Sequence, residues 1–123
     1  MERRRRLSGK KIFNAIHKGG GRWYNPIMGL KALPNREGTT RYAFRAGKNV
    51  GKAVERNRVK RLMREASRLV TVPEGWDLLF TARTAAKSSN LWQIKRALED
   101  ILARAHVLLS QARNREPKEK NEQ

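Results

Sequence analysis

Hydrophobic positions along the chain follow two periods, one typical of helices and one typical of strands. In three segments apolar residues recur every three or four positions, which predicts helices with one apolar side. The shorter segments between them are apolar throughout or alternate between apolar and polar residues, which predicts strands. The predicted helices cover residues 9–18, 50–68 and 91–108, and the predicted strands cover residues 25–33, 41–47 and 76–83. This order predicts an α+β domain in which helices pack against a small sheet.

The two ends of the chain differ in composition from its centre. Residues 1–7 contain a cluster of arginines and predict a basic arm, whereas residues 113–123 are polar, contain a proline and predict a disordered tail. Residues 8–112 are enough for one hydrophobic core and too few for two. We therefore expect a single domain over residues 8–112.

The net charge of the chain indicates a polyanionic partner. Lys and Arg total 29 against 11 acidic residues, which gives a formal charge of +18. Such an excess favours nucleic acid over an anionic membrane surface. There are no cysteines, and no apolar run approaches the ~20 residues that span a bilayer. We expect a cytoplasmic protein that binds no membrane.

The middle predicted helix carries the densest positive charge. At about 100° per residue, Val59, Met63 and Ala66 fall in one apolar sector, while Glu55 and Glu65 fall outside the opposite, basic sector. The basic pole holds Asn57, Lys60, Arg61, Arg64 and Arg68, with Arg56 and Arg58 on its two borders. Solvated helix faces usually mix charge signs, because opposite charges four residues apart stabilise a helix by a few tenths of a kcal/mol. A single-signed face therefore indicates contact with a polyanion.

The residue types on this helix favour RNA over DNA. Arginine predominates, and its planar guanidinium binds phosphate through two hydrogen bonds and stacks on bases. Asn57 adds a group that can bond a 2′-hydroxyl or a base edge. A DNA recognition helix would need a preceding helix, whereas a short irregular connector with Lys48 precedes this one. We predict RNA contacts along the helix, from Lys52 at its start and from Lys48, and no DNA partner.

Residues suited to catalysis do not cluster in the sequence. His17 and His106, the two histidines, lie on different predicted helices, and the acidic residues are scattered. A protein nuclease needs a carboxylate cluster or a placed acid and base. We therefore predict no catalytic and no metal-binding residue. Trp76 and Trp92 are expected to pack in the interior, whereas Trp23 and Tyr24 could pack or stack on bases.

Beyond these patterns, one segment resembles a known family. "KNVGKAVERNRVKRLMREA" is similar to the signature of the bacterial ribonuclease P protein subunit, "K-x-x-G-x-A-x-x-R-N-x-x-K-R-x-x-R-E". The matching positions are Lys48, Gly51, Ala53, Arg56, Asn57, Lys60, Arg61, Arg64 and Glu65. "FNAIHKGG" resembles the family's first-helix pattern, and "PEGWDLLFTAR" resembles the strand after the signature helix.

The resemblance implies a fold and a function. The fold would be a two-layer α-β sandwich like a ribosomal-protein domain, ordered αβββαβα, with a left-handed βαβ crossover that breaks the usual handedness. The function would be to bind the catalytic ribonuclease P RNA and precursor tRNA, so that this RNA removes the 5′ leader. The Mg²⁺ ions would be held mainly by the RNA. The signature helix would face that RNA.

The resemblance also implies a cleft for the leader, lined here by Phe13, His17 and Lys31. The chain departs from the family in this cleft, with His17 where a second aromatic is usual and Lys31 where a tyrosine is usual. The strand before Lys48 also departs, with Ala43 and Arg45 where Gly and Ser are common. The alternative function is that of a structural ribosomal RNA-binding protein. A self-sufficient nuclease is disfavoured because the sequence has no carboxylate cluster.

Overall fold

The computed structural model describes Arg6 and residues 9–105, apart from the side chain of Ile12. Its helices are α1 (Lys10–Gly19), α2 (Ala53–Arg68) and α3 (Leu91–Arg104), and its strands are β1 (Gly21–Tyr24), β2 (Met28–Pro34), β3 (Arg41–Arg45) and β4 (Trp76–Ala82). Short 3₁₀ turns cover Lys48–Val50 and Thr84–Ser88. The α+β class and the order αβββαβα are confirmed. The limits of the predicted arm, domain and tail, together with His106, lie outside the described residues.

The four strands form one mixed sheet in the order β1-β2-β4-β3. Strands β1 and β2 pair antiparallel, as do β2 and β4, whereas β3 and β4 pair parallel. A parallel pair needs a crossover connection, and α2 supplies it between β3 and β4. This is the βαβ unit that the resemblance implies. The left-handedness of its crossover stays a prediction. Arg6 forms an isolated bridge to Tyr42, on the edge strand β3.

Helices α2 and α3 cover one face of the sheet. Strand residues that alternate toward this face, such as Leu30 and Phe80, are buried against Val59 and Met63 of α2. The amphipathic stripe predicted for the last helix contributes Ile94, Leu98 and Ile101, all fully buried. Burying each large apolar side chain contributes about 1.5–3 kcal/mol, so this core dominates the stability of the domain.

Helix α1 packs on the opposite face of the sheet. Ile16 and Leu79 form a second buried cluster there, with Phe13, Leu33 and Ala43 packed around it. The helix covers only part of this face, since Arg22, Arg45 and Thr81 remain exposed. The sheet therefore has one covered face and one face with an open strip beside α1.

Two predicted boundaries and one predicted packing role are wrong, and one strand is missing from the pattern-based prediction. The strand predicted over residues 25–33 begins at Met28, because the Asn25 side chain accepts hydrogen bonds from the backbone N–H of Ile27 (3.0 Å) and Met28 (2.9 Å) and makes a turn. Strand β1 precedes that turn; the order αβββαβα implies it, but the hydrophobic pattern did not predict it. Helix α2 begins at Ala53 rather than residue 50. Trp92 is 64% exposed, because it lies in the first turn of α3 away from the sheet.

Glycine 51 explains the late start of α2. Its φ of 144° is a conformation that side chains rarely adopt, and it turns the chain from the 3₁₀ turn into the helix. A Cβ atom at this position would also overlap the Glu55 carboxylate. That carboxylate accepts a hydrogen bond from the Lys52 backbone N–H at 2.7 Å, which lowers the pKa of Glu55. Glu55 therefore closes the start of the helix instead of neutralising its basic side.

Candidate nucleic-acid interface

The outer side of α2 carries the residues that the helical period assigns to it. We call Asn57, Lys60, Arg61, Arg64 and Arg68 the basic face. Asn57, Arg61 and Arg68 are exposed, and Lys60 and Arg64 are half-buried, while Val59 and Met63 on the other side are fully buried. The guanidinium of Arg64 lies 5.9 Å from the centre of the Phe44 ring, which fixes one cation beside the sheet. The structure thus presents several cations in a row along one helix.

The two border arginines form hydrogen bonds within the protein. Arg56 donates from Nη1 to the Gly51 carbonyl at 3.0 Å. Arg58 donates to the carbonyls of Lys87 at 3.3 Å and Ser89 at 3.1 Å, which ties α2 to the segment that leads into α3. Both side chains are half-buried. Sequence reasoning predicted RNA contacts for both and missed this structural role. Their position on the borders of the basic sector could have indicated it.

Lys48 and Lys52 flank the start of α2. Both are exposed, Lys48 in the 3₁₀ turn and Lys52 directly before the helix. Their side chains extend the positive surface beyond the first turn of the helix. Arg45 ends β3 only three residues before Lys48, so this end of α2 is close in sequence to the opposite face of the sheet.

The structure brings the predicted cleft residues together on that opposite face. We call Phe13, His17, Arg22, Lys31 and Arg45 the α1 cleft. Lys31 Nζ lies 2.6 Å from His17 Nδ1, and the Arg45 guanidinium lies 5.5 Å from the centre of the Phe13 ring. Arg22 faces Lys31 across the β1–β2 pair. Within the part of the chain that the structure describes, none of these three cations forms an ion pair with a carboxylate.

Sequence reasoning missed Arg22 as a member of this cleft. The residue lies in the unpredicted strand β1, and only the pairing of β1 with β2 places it beside Lys31. Arg45 appeared in the sequence only as a departure from the family pattern. Its position two residues after Ala43, which packs against the Ile16–Leu79 cluster under α1, puts it on the same face of β3 as that cluster.

The surroundings of His17 favour its neutral form. Desolvation, followed by the positive charges of Lys31, Arg45 and Arg22, lowers the pKa of His17 below its ordinary value of 6.5. The ring is therefore neutral at pH 7, and its Nδ1 accepts a hydrogen bond from the Lys31 ammonium. A neutral imidazole beside three cations and an aromatic ring suits an anionic ligand that also has planar groups.

Arg6 and residues 9–105 contain no group of three or more His, Asp or Glu side chains that could hold a metal ion. No helix in this part of the chain is long and apolar enough to cross a membrane. The chemistry that the described residues offer is the binding of phosphate by cations and of bases by exposed rings.

Comparison with known proteins decides the family. The Ribonuclease P family model matches residues 1–106. The chain belongs to the ribonuclease P protein family. The ribonuclease P protein component of Dehalococcoides mccartyi strain CBDB1 is 34% identical over 108 residues, covering 88% of this chain and 90% of the relative. That of Herpetosiphon aurantiacus is 36% identical over 109 residues, covering 87% and 89%.

Solved structures of the family have the same fold. The ribonuclease P protein of Staphylococcus aureus superposes with a TM-score of 0.75 at 29% identity, covering 84% of this chain and 96% of that one. The protein from Thermotoga maritima gives a TM-score of 0.72 at 26% identity, covering 80% and 96%. The resemblance in the sequence is confirmed, and the ribosomal-protein alternative is set aside. The chain is a protein subunit of ribonuclease P, a tRNA 5′-processing endoribonuclease with an RNA partner.

Proposed function

We propose that the basic face of α2, with Lys48 and Lys52, binds the catalytic RNA of ribonuclease P, and that the α1 cleft holds the 5′ leader of precursor tRNA. The observation that carries this proposal is the presence of two separate cationic surfaces on opposite faces of one sheet. One surface lies on a helix and the other beside exposed strands. A protein that binds one folded RNA and one single strand needs two surfaces of different kinds.

The spacing of charge on α2 supports contact with a folded RNA. Successive cations on one side of a helix are about 5–6 Å apart, so they can meet a row of backbone phosphates. Asn57 lies among them and can bond a 2′-hydroxyl. The apolar side of α2 is occupied by the core, and therefore only the basic face is available to RNA.

The composition of the α1 cleft supports a single-stranded ligand. Phe13 offers part of its ring for stacking, since it is half-buried against Ile16. Lys31, which contacts His17, and Arg45, which lies over the Phe13 ring, offer charges for phosphates. Lys31 stands where the family usually has a tyrosine, and this exchange shifts the expected binding energy of the cleft from base stacking toward phosphate contact.

We assign the cleavage chemistry to the RNA partner, in the cytoplasm. The Mg²⁺ ions would be held by RNA phosphates, whose oxygens are hard ligands suited to Mg²⁺. The contribution of the protein would be to reduce electrostatic repulsion between the two RNAs and so lower the Mg²⁺ concentration that cleavage requires. Lys31, Arg45 and the basic face supply that positive charge.

The test is cleavage of precursor tRNA by a bacterial ribonuclease P RNA over a series of Mg²⁺ concentrations, with and without this protein. Added protein should restore cleavage at the mature 5′ end at Mg²⁺ concentrations where the RNA alone is inactive. The protein without RNA should not cleave. An unchanged Mg²⁺ requirement would contradict the proposal, and cleavage by rigorously RNA-free protein would replace it with a protein nuclease.

A further inference from the structure

We propose that Tyr24 forms a second base-stacking site, which binds a different nucleotide of the leader from the one at Phe13. This inference rests on the proposed function of the α1 cleft. Tyr24 ends β1 at the far side of the open strip, and its side chain is 52% exposed. The sequence left its role open between packing and stacking.

Strand register places Tyr24 and the cleft on the same face of the sheet. Tyr24 pairs with Gly29 of β2, Gly29 pairs with Thr81 of β4, and Thr81 pairs with Arg45 of β3. Paired residues point to the same face, so this row runs across the sheet from Tyr24 to the arginine beside Phe13. Three strand spacings separate its ends, about 14 Å. A row of this length is too long for one base to reach both of its ends.

The row between the two rings carries no bulky side chain. Gly29 has no side chain and is buried beneath the Tyr24 ring, and Thr81, the next residue along the row, is exposed. A Cβ atom at Gly29 would lie 3.2 Å from two carbons of the Tyr24 ring, so the ring rests directly over the strand backbone. A larger residue at position 29 would displace the ring. The glycine therefore leaves room for Tyr24 to lie along the sheet surface.

Arginine 83 combines with Tyr24 to offer both kinds of contact that a nucleotide needs. Its guanidinium lies 5.6 Å from the centre of the Tyr24 ring and donates to the Asn25 carbonyl at 3.2 Å. An arginine has five N–H donors, and the remaining ones can bind a phosphate. The Phe13–Arg45 pair at the other end of the row has the same composition. Two aromatic rings, each with an arginine beside it, thus mark the two ends of one strip.

The turn that carries Tyr24 is fixed before any RNA binds. The Asn25 amide donates to the Ala97 carbonyl at 2.9 Å and to Asp100 Oδ2 at 3.2 Å, which attaches the turn to α3. Arg104 of the same helix donates to the Tyr24 carbonyl. A ring held in place loses little freedom on binding, so more of the stacking energy appears as affinity. The alternative is that Tyr24 and Arg83 serve only to brace this turn.

A series of precursor tRNAs with leaders of increasing length separates the two roles. Affinities of the wild-type protein, Tyr24→Ala and Phe13→Ala would be measured in complex with the catalytic RNA at fixed salt. Tyr24→Ala should weaken binding by on the order of 5- to 150-fold once the leader exceeds a minimum length. The minimum length for Phe13→Ala should differ by at least one nucleotide.

Two further variants distinguish stacking from bracing. Tyr24→Phe keeps the ring and should bind as the wild type does, whereas Tyr24→Leu keeps apolar volume over Gly29 and should lose affinity as Tyr24→Ala does. Thermal unfolding of each variant reports any damage to the turn. Wild-type affinity of Tyr24→Leu at every leader length, or an equal loss with mature tRNA, would overturn the inference. Failure of the α1 cleft itself would appear separately, as the absence of any leader-dependent loss in Phe13→Ala.

Discussion

The basic face of α2 and the α1 cleft are built in different ways. The basic face comes from one helix, whose period repeats a cation every three or four residues. The cleft takes His17 from α1, Arg22 from β1, Lys31 from β2 and Arg45 from β3. A single helix gives a dense row of charge that suits the regular phosphates of a folded RNA. Four elements give fewer charges arranged around a ring, which suits a strand with unpaired bases.

The two surfaces also differ in how their cations are held. On α2 the exposed Arg61 and Arg68 lie beside half-buried arginines that bond the backbone, so one helix combines binding and structural roles. In the cleft, Lys31 contacts His17 and Arg45 lies over Phe13. Lys31 and Arg45 are therefore each in contact with a neutral partner that RNA could also contact. The comparison predicts that substitutions in the two regions affect different observables.

The largest effect should come from two exposed arginines of the basic face. Replacing Arg61 and Arg68 by Gln removes up to two phosphate contacts, each worth about 0.9 in the slope of log affinity against log salt. Two lost contacts weaken binding to the catalytic RNA roughly 60-fold at about 0.1 M salt, relative to a 1 M reference. The measurement is a salt titration of that affinity.

A matched control for this pair is Arg36→Gln with Arg96→Gln. Both residues are exposed and lie outside the basic face and the α1 cleft, and the change in net charge is the same. The control should change the slope far less. Equal slopes for the two double variants would show that only net charge matters and that the basic face is not a site.

The loss of stacking in the α1 cleft should have an effect of comparable size. Phe13→Ala should cost roughly 1–3 kcal/mol of binding to precursor tRNA and nothing with mature tRNA, which lacks a leader. Phe13 also packs against Ile16, and its removal could destabilise the fold. Lys31→Gln changes little core volume, and the loss of one single-strand phosphate contact should weaken leader binding roughly fivefold at about 0.1 M salt.

Affinities for substrates with and without a leader would be measured for both variants at the same salt concentration. Thermal unfolding would be recorded alongside, so that a folding defect of Phe13→Ala is not mistaken for a binding defect. Equal losses for the two substrates would place Phe13 and Lys31 outside the path of the leader.

The basic face and the α1 cleft could be predicted from the sequence to different extents. The basic face could be read from the sequence because the 3.6-residue period relates positions within one element, and the buried Val59 and Met63 confirm the period. The cleft required a resemblance to name Phe13, His17 and Lys31. Arg22 could not be predicted from either source, because its place depends on the register between β1 and β2. Tertiary pairing, rather than local pattern, fixes that neighbour.

The prediction for Arg58 separates structural from binding arginines on the same helix. Arg58→Gln removes hydrogen bonds to the carbonyls of Lys87 and Ser89, and should lower the free energy of unfolding by about 1–2 kcal/mol. The salt slope for RNA binding should stay close to that of the wild type. Denaturant unfolding and the salt titration would be measured on the same samples. A reduced salt slope with unchanged stability would show that Arg58 binds RNA and has no structural role.

The smallest effect concerns the pH dependence of leader binding. Desolvation and the cations Lys31, Arg45 and Arg22 lower the pKa of His17 below 6.5, so the free protein carries a neutral ring at pH 7. In the unfolded chain the ring keeps its ordinary pKa and binds a proton first as pH falls. Folding stability from this group is therefore present above pH 6.5 and decreases as pH falls through the lowered pKa.

A bound leader phosphate should raise the pKa of His17 again. A nearby anion favours the protonated ring, so leader binding takes up a proton and strengthens as pH falls below 6.5, by at most about tenfold per pH unit. The measurement is the ratio of affinities for tRNA with and without a leader between about pH 5.5 and 7.5. His17→Gln keeps a hydrogen-bond acceptor for Lys31 but cannot titrate, and it should flatten the ratio. A ratio that keeps its pH dependence in His17→Gln would assign the proton to a group outside the α1 cleft.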